Sequence, residues 1–194
     1  MSITSVKSGA TGISLALDNN FMEPIATTLV GSGGSSNITF NDIPQTYKHL
    51  QIRLMSRNNR VSTSDTLGIQ FNGDTSISNY VWLHYVYGNN GSAGAAGYGT
   101  GVNASIYLGE CPSSTATSNI FGVSIADILD YTSESKNKVL RSLNGKEADA
   151  LNQGFISLSS GAWLSTAPIT SMKIFANNGN FVQYSRFSLY GIKG

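Results

Sequence analysis

Charge is scarce in this chain. Of its 194 residues, 12 are Lys or Arg and 11 are Asp or Glu, giving 12% charged residues and a formal net charge of +1. Soluble domains usually carry about 25%. No basic run exceeds two adjacent positions, so the footprint of a nucleic-acid binder is missing and no nucleic-acid partner is expected. Weak charge also means weak repulsion between copies. Cysteine is reduced to Cys111 alone, which excludes an intrachain disulfide. A catalytic thiol would need a histidine partner and an activating environment; Cys111, before Pro112, reads as a small buried residue. No apolar run approaches the ~20 residues of a membrane helix, and residues 1–10 carry no apolar core of a signal peptide. Neither a membrane partner nor secretion is expected, and synthesis in a cytoplasm is. Helical periodicity is also lacking: the nearest amphipathic stretch, residues 145–151, is too short to matter.

Ser, Gly, Asn and Thr fill the gap, contributing 28, 21, 18 and 15 residues, or 82 of 194. They are turn and strand-surface residues and poor helix formers. With 40% hydrophobic and 10% aromatic residues the chain can still bury a core, so composition points to an all-β protein.

Alternation supports this. Leu50, Ile52 and Leu54 fall on one strand face, with Gln51, Arg53 and Met55 on the other. Leu67, Ile69 and Phe71 form a second inward face, followed by the turn signal Asn72-Gly73-Asp74. Residues 25–30, 37–40, 80–87, 104–108, 120–129, 138–143, 153–159 and 169–175 read as further strands, and Phe187, Leu189 and Gly191 share a face of the last one. In Phe121, Val123, Ile125 and Ile128 the pattern loses phase after Ile125, suggesting a bulge or a strand end. Asn144-Gly145 reads as a turn, residues 177–180 as a hairpin turn, and residues 89–101 as a glycine-alanine loop. About ten short strands with turn signals every 8–15 residues or so predict an antiparallel β-sandwich, jelly-roll-like. Residues 24–194 form this domain. Residues 1–23 are an extended N-terminal arm with apolar positions Ile3, Val6, Ile13, Leu15, Leu17 and Phe21, sticky at intervals and too short to fold alone.

The inventory for catalysis is thin. His49 and His84 have no Cys or His at metal-ligand spacing, and no phosphate loop, zinc-protease motif or nucleophile elbow occurs. Asp127 and Asp130 lie on opposite faces if the strand is regular. Asp65, Asp74 and Glu110, read as lying in or near loops, leave a sugar-cleaving pair open, since distant residues can meet in a fold, and Asp74 beside Asn72 and Gly73 is a turn rather than a calcium loop. The chain is expected to be no enzyme, and neither cofactor nor metal is expected. The most aromatic strand offers Tyr80, Trp82 and His84, or Tyr85 and Tyr87 on its other face, as a carbohydrate platform or a contact between subunits.

Two stretches carry a resemblance: Pro24-Ile25-Ala26-Thr27-Thr28-Leu29-Val30-Gly31-Ser32-Gly33-Gly34, continuing through Ile38-Thr39-Phe40 and Ile43-Pro44-Gln45-Thr46-Tyr47-Lys48-His49-Leu50-Gln51-Ile52-Arg53; and the ending, Arg186-Phe187-Ser188-Leu189-Tyr190-Gly191-Ile192-Lys193. Both resemble virion structural proteins of tailed phages, particularly those of cyanobacteria and other aquatic hosts, among them small capsid decoration (cement) proteins and tail or fibre modules. The resemblance implies a virion location and a sandwich that self-associates, often as a homotrimer, and docks on the major capsid protein or on tail proteins. A single sandwich with a short leader suits a cement protein, with the arm lying across capsid subunits. The alternative is a tail adaptor or short fibre with a carbohydrate-binding face. A depolymerase-like enzyme is the third reading.

Overall fold

The computed structural model describes residues 21–88, 97–100, 104–147 and 154–194. They form twelve strands and one 3-10 turn, Ile77–Asn79, with no α-helix among the described residues. In chain order the strands are β1 (Met22–Leu29), β2 (Asn37–Phe40), β3 (His49–Ser56), β4 (Ser64–Phe71), β5 (Tyr80–Gly88), β6 (Gly97–Thr100), β7 (Ile106–Pro112), β8 (Gly122–Ile128), β9 (Lys138–Lys146), β10 (Phe155–Trp163), β11 (Met172–Ala176) and β12 (Arg186–Ile192). Every pairing is antiparallel. The large sheet runs β1-β12-β3-β8-β9-β10-β5-β6 and the small one β2-β11-β4-β7.

Set aside the inserted pairs β5-β6 and β9-β10, and the connectivity is that of a jelly roll. Among the remaining eight strands, the first, eighth, third and sixth form one sheet, and the second, seventh, fourth and fifth form the other. Each strand is followed by one in the opposite sheet except the fourth, β4, which pairs with the fifth, β7, as in the double Greek key. The two insertions extend the large sheet beyond β8 by four strands, so it overhangs the small one.

The core lies where β1-β12-β3-β8 faces the small sheet. Leu50, Ile52 and Leu54 of β3 and Phe187 and Leu189 of β12 meet Ile38, Phe40, Leu67, Ile69, Phe71 and Ile174, all at most 4% exposed. These are the alternating positions the sequence marks. Phe181, in the loop before β12, packs edge-on against Phe187 at 4.7 Å.

Several local expectations are corrected. Residues 97–100 pair with β5 as β6 instead of lying in a loop. Asn144 and Gly145 lie inside β9, opposite Ser124 and Val123 of β8. Residues 177–180 do not close a hairpin, because β11 and β12 belong to different sheets. Asn72-Gly73 does form a turn, with φ of 50° and 67° and the Asp74 N–H donating to Phe71 O at 2.9 Å. β8 has no bulge: it stays in register with β3 and β9 through Ile128. Its inward residues are Ser124, Ala126 and Ile128, while Val123 and Ile125 face out. The arm boundary also moves, because Met22 and Glu23 pair with Ile192 and Gly191 as the start of β1.

Candidate functional site

Two features of the extended part of the large sheet are candidates: its outer face and a cleft under its overhang.

The outer face follows from what the inner face must do. β7 is the last strand of the small sheet, and its free edge leans onto the inner face of β9 and β10. An open strand edge presents unpaired backbone groups. Here they are closed by side chains. Ser142 Oγ donates to Leu108 O at 2.7 Å and Ser159 Oγ to Tyr107 O at 3.1 Å. Asn144 Nδ2 donates to Glu110 O at 3.0 Å, and Glu110 N–H donates back to Asn144 Oδ1 at 3.2 Å. Asn144 Nδ2 also reaches Val123 O and Ser124 Oγ. The approach is so close that a Cβ on Gly109, whose φ is +130°, would sit 2.4 Å from Asn144 Cβ. The inward positions of β8, β9 and β10 nearest β7 are therefore small and polar, namely Ser124, Ser142, Asn144, Ser157 and Ser159, each at most 2% exposed, whereas Ile128, Leu140 and Trp163 still join the core.

At the same level of these strands the apolar side chains point outward. Strand register aligns Ile125, Leu143, Leu158 and Tyr85 as direct cross-strand neighbours in one row over β8, β9, β10 and β5. Met55 and Val123 are paired beside it on β3 and β8, and Ile156 lies one step along β10. All are 41–59% exposed. A polar row follows: Arg141 reaches Asp127 at 3.0 Å, and Gln51 Nε2 donates to the same carboxylate at 2.8 Å. Next to it is a shallow trough of about 380 Å³, where Val81, Leu83 and Val139 surround Ser160, Gly161 and Ala162 of β10. The outer face is thus a ridge of large apolar residues beside an apolar hollow, the kind of contiguous exposed patch that marks an interaction surface.

The cleft, about 270 Å³, opens between the inner face of β5 and the β4–β7 edge. It is lined by Thr66, Trp82, His84, Tyr107, Glu110 and Asn177 among others. Trp82 stacks on His84 with centroids 5.1 Å apart, and His84 on Tyr107 at 4.6 Å. Burial lowers the His84 pKa against the opposing pull of Glu110, so the imidazole is neutral at neutral pH. Its Nδ1 is buried and has no hydrogen-bond partner among the described residues. Burial and the Glu110 charge both raise the Tyr107 phenol. Lys146 Nζ lies 3.6 Å from the Glu110 carboxylate and compensates its charge.

The four aromatic contact residues are divided by these surfaces. Tyr85 lies on the outer face and Trp82 in the cleft. Tyr80, expected at a surface, is fully buried: its hydroxyl accepts from Phe71 N–H at 3.1 Å and donates to Asp74 O at 3.1 Å. The side chain of Tyr87 lies outside the described residues. So do Ile3, Val6, Ile13, Leu15 and Leu17 of the arm; Phe21 is described and exposed. Ile125, Leu143 and Leu158 escaped sequence reasoning because apolar residues in alternation are assigned to a core. Tyr107, Glu110 and Asn177 escaped it because only the fold brings them together.

The remaining candidates have structural partners. Asp65 lies within β4, not in a loop, and is saturated by Asn58 Nδ2 at 2.7 Å, Arg60 at 3.1 Å and the N–H groups of Thr66 and Asn178. Asp74 is held by Trp163 Nε1 at 2.7 Å, Asn79 Nδ2 at 2.8 Å and Ser76 N–H at 2.8 Å. His49 Nδ1 accepts from Asp130 N–H at 3.0 Å. Burial pushes the Cys111 thiol up to about 12, with the Asp65 charge acting in the same direction. No cluster of three potential metal ligands occurs among the described residues.

No protein-family model matches the chain, and no curated protein matches its sequence.

Proposed function

We propose that this chain is a structural protein of a phage particle, a decoration (cement) protein that self-associates and stabilises the shell by burying surface. The observation that carries this reading is the apolar outer face of the large sheet. A fold that turns Leu143, Leu158 and Ile125 to solvent while lining the inner face of the same strands with serine is built for lasting contact with another protein. The low charge of the chain agrees with this, since a molecule that stays packed in an assembly does not need charge to remain dispersed. In this reading the arm, residues 1–21, attaches the sandwich to the major capsid protein. Linked copies then hold the shell by avidity, so each contact can be weak. The jelly roll is compatible, being a frequent architecture of viral capsid and lectin domains, although a fold alone does not specify a function.

The deciding experiment is to locate the protein on intact particles and count it. Hundreds of copies distributed over the shell are expected. A handful of copies at the tail, or none, would replace the cement reading.

The cleft favours a second reading, a tail adaptor or short fibre that grips a sugar. Stacked aromatic rings beside a carboxylate, an amide and a hydroxyl suit a neutral pyranose, with one apolar face and a polar rim. Titration with host surface polysaccharide, followed by Trp fluorescence, tests it: quenching that Asn177→Ala weakens at least tenfold supports a tail role, and an unchanged signal removes it.

A further inference from the structure

We propose that the outer face of the large sheet is covered by the same face of a second copy of this chain, forming a two-fold pair. This rests on reading that face as a self-association surface, and it names the partner and the symmetry.

Area is the first argument. Nine large side chains on this face are about half exposed, which comes to roughly 800 Å² of mostly apolar surface, the amount each partner of a standard stable interface buries. Shape is the second. The ridge formed by Ile125, Leu143, Leu158 and Tyr85 lies beside the trough floored by Ser160, Gly161 and Ala162. Two identical faces brought together about a two-fold axis, at the ~10 Å spacing of packed sheets, set each ridge into the other's trough. An isologous contact needs only one self-complementary patch. A ring of three would need a second complementary surface. The other exposed large apolar residues among the described ones are scattered: Leu29 is the last residue of β1, and the rest, Val61, Ile77, Leu164 and Tyr184 among them, are in loops and beyond strand ends. Electrostatics is the third. The charges between ridge and trough are already paired, Arg141 with Asp127, so closing the interface over them strands no lone charge; Arg53, beside Ile125 at the β3 margin, lies over the Tyr190 ring. Along β10, Ser160 lies at the edge of the trough nearest the ridge and therefore falls near the axis.

Sedimentation of the isolated, full-length protein, with no particle present, is the test. The expected mass is twice the 20.6 kDa of one chain. Leu143→Asp combined with Leu158→Asp is expected to give monomers with an unchanged far-UV spectrum, because both residues are solvent-exposed in the single chain. Val61→Asp, at an 89% exposed residue off this face, is expected to leave the pair intact. Independently, Ser160→Cys is expected to cross-link to itself with a short bis-maleimide, since Cys111 is buried and does not compete. A monomeric or trimeric wild-type mass, or no Ser160→Cys cross-link, overturns the proposal even if the aspartate variant fails to fold. The cement reading is scored separately on particles: a wild-type monomer that still coats the shell sinks the pair and keeps that reading, and a pair absent from particles does the reverse.

Discussion

At the scale of single residues, the polar groups of this protein are committed to holding backbone in place. Asp74 ties the turn after β4 to Trp163 at the end of β10. Burial alone would raise its pKa, but hydrogen bonds from Trp163, Asn79 and Ser76 outweigh burial and hold it down at about 2. A carboxylate depressed in the folded state adds stability above its unfolded pKa of about 4, and that stability disappears as pH falls through the folded value. Asp74→Asn is therefore expected to cost about 1–2 kcal/mol at neutral pH and to flatten the decline in melting temperature between pH 4 and pH 2. Thermal melts across that range check this, and parallel curves for the two proteins would refute it. Cys111 gives a second expectation. Buried, with its thiol pushed up to about 12, it is expected to stay unmodified by an aromatic disulfide reagent in native buffer and to react fully once denatured. Rapid labelling of the native chain would show that the β7 end opens.

At the scale of elements, the contrast between the two halves of the large sheet explains what the sequence reveals and what it conceals. In β3, β4 and β12 the inward residues are Leu, Ile and Phe, so alternation of hydrophobicity and alternation of burial coincide. In β8, β9 and β10 they are opposed where the strands meet β7, since β7 needs hydroxyl and amide donors for its free carbonyls and allows no bulk there, while Ile128, Leu140 and Trp163 beyond it are again buried. Ile125 and Ile128 then look out of phase, although the strand is regular, because one faces out and the other in. Asn144-Gly145 looks like a turn because that dipeptide most often is one; here Asn144 serves as a bidentate cap on Glu110. The cleft was legible only in part: Trp82 and His84 stand out in the sequence, but Tyr107 and Asn177 reach them through pairings that no local pattern encodes. If closing β7 is the task of the inner serines, Ser142→Ala with Ser159→Ala is expected to lower stability by about 1–3 kcal/mol, because Leu108 and Tyr107 carbonyls lose buried partners. Hydrogen exchange is expected to quicken at β7 more than at β3. Uniform exchange, or no loss in denaturant midpoint, would mean that water replaces the hydroxyls without cost.

At the scale of the whole molecule, few charges and one broad apolar face determine how association responds to conditions. Contacts made by exposed ion pairs weaken as salt shortens the Debye length from about 10 Å at 0.1 M to about 3 Å at 1 M. The outer face has one paired Asp127–Arg141 row among aliphatic residues and Arg53 at its β3 margin, so salt has little to screen. Apolar burial instead carries a negative heat-capacity change and weakens on cooling. Self-association of the purified chain is therefore expected to change less than about threefold in dissociation constant between 0.1 M and 1 M sodium chloride, to tighten in ammonium sulfate, and to loosen at 4 °C relative to 25 °C. Sedimentation equilibrium at two temperatures and three salt conditions measures all of these. A constant that rises steeply with sodium chloride and ignores temperature would place the contact on charged side chains. It would then have to be sought around Lys48, Lys136 and Asp130, whose ion pairs cluster at the end of β8, away from the Leu143–Leu158 ridge.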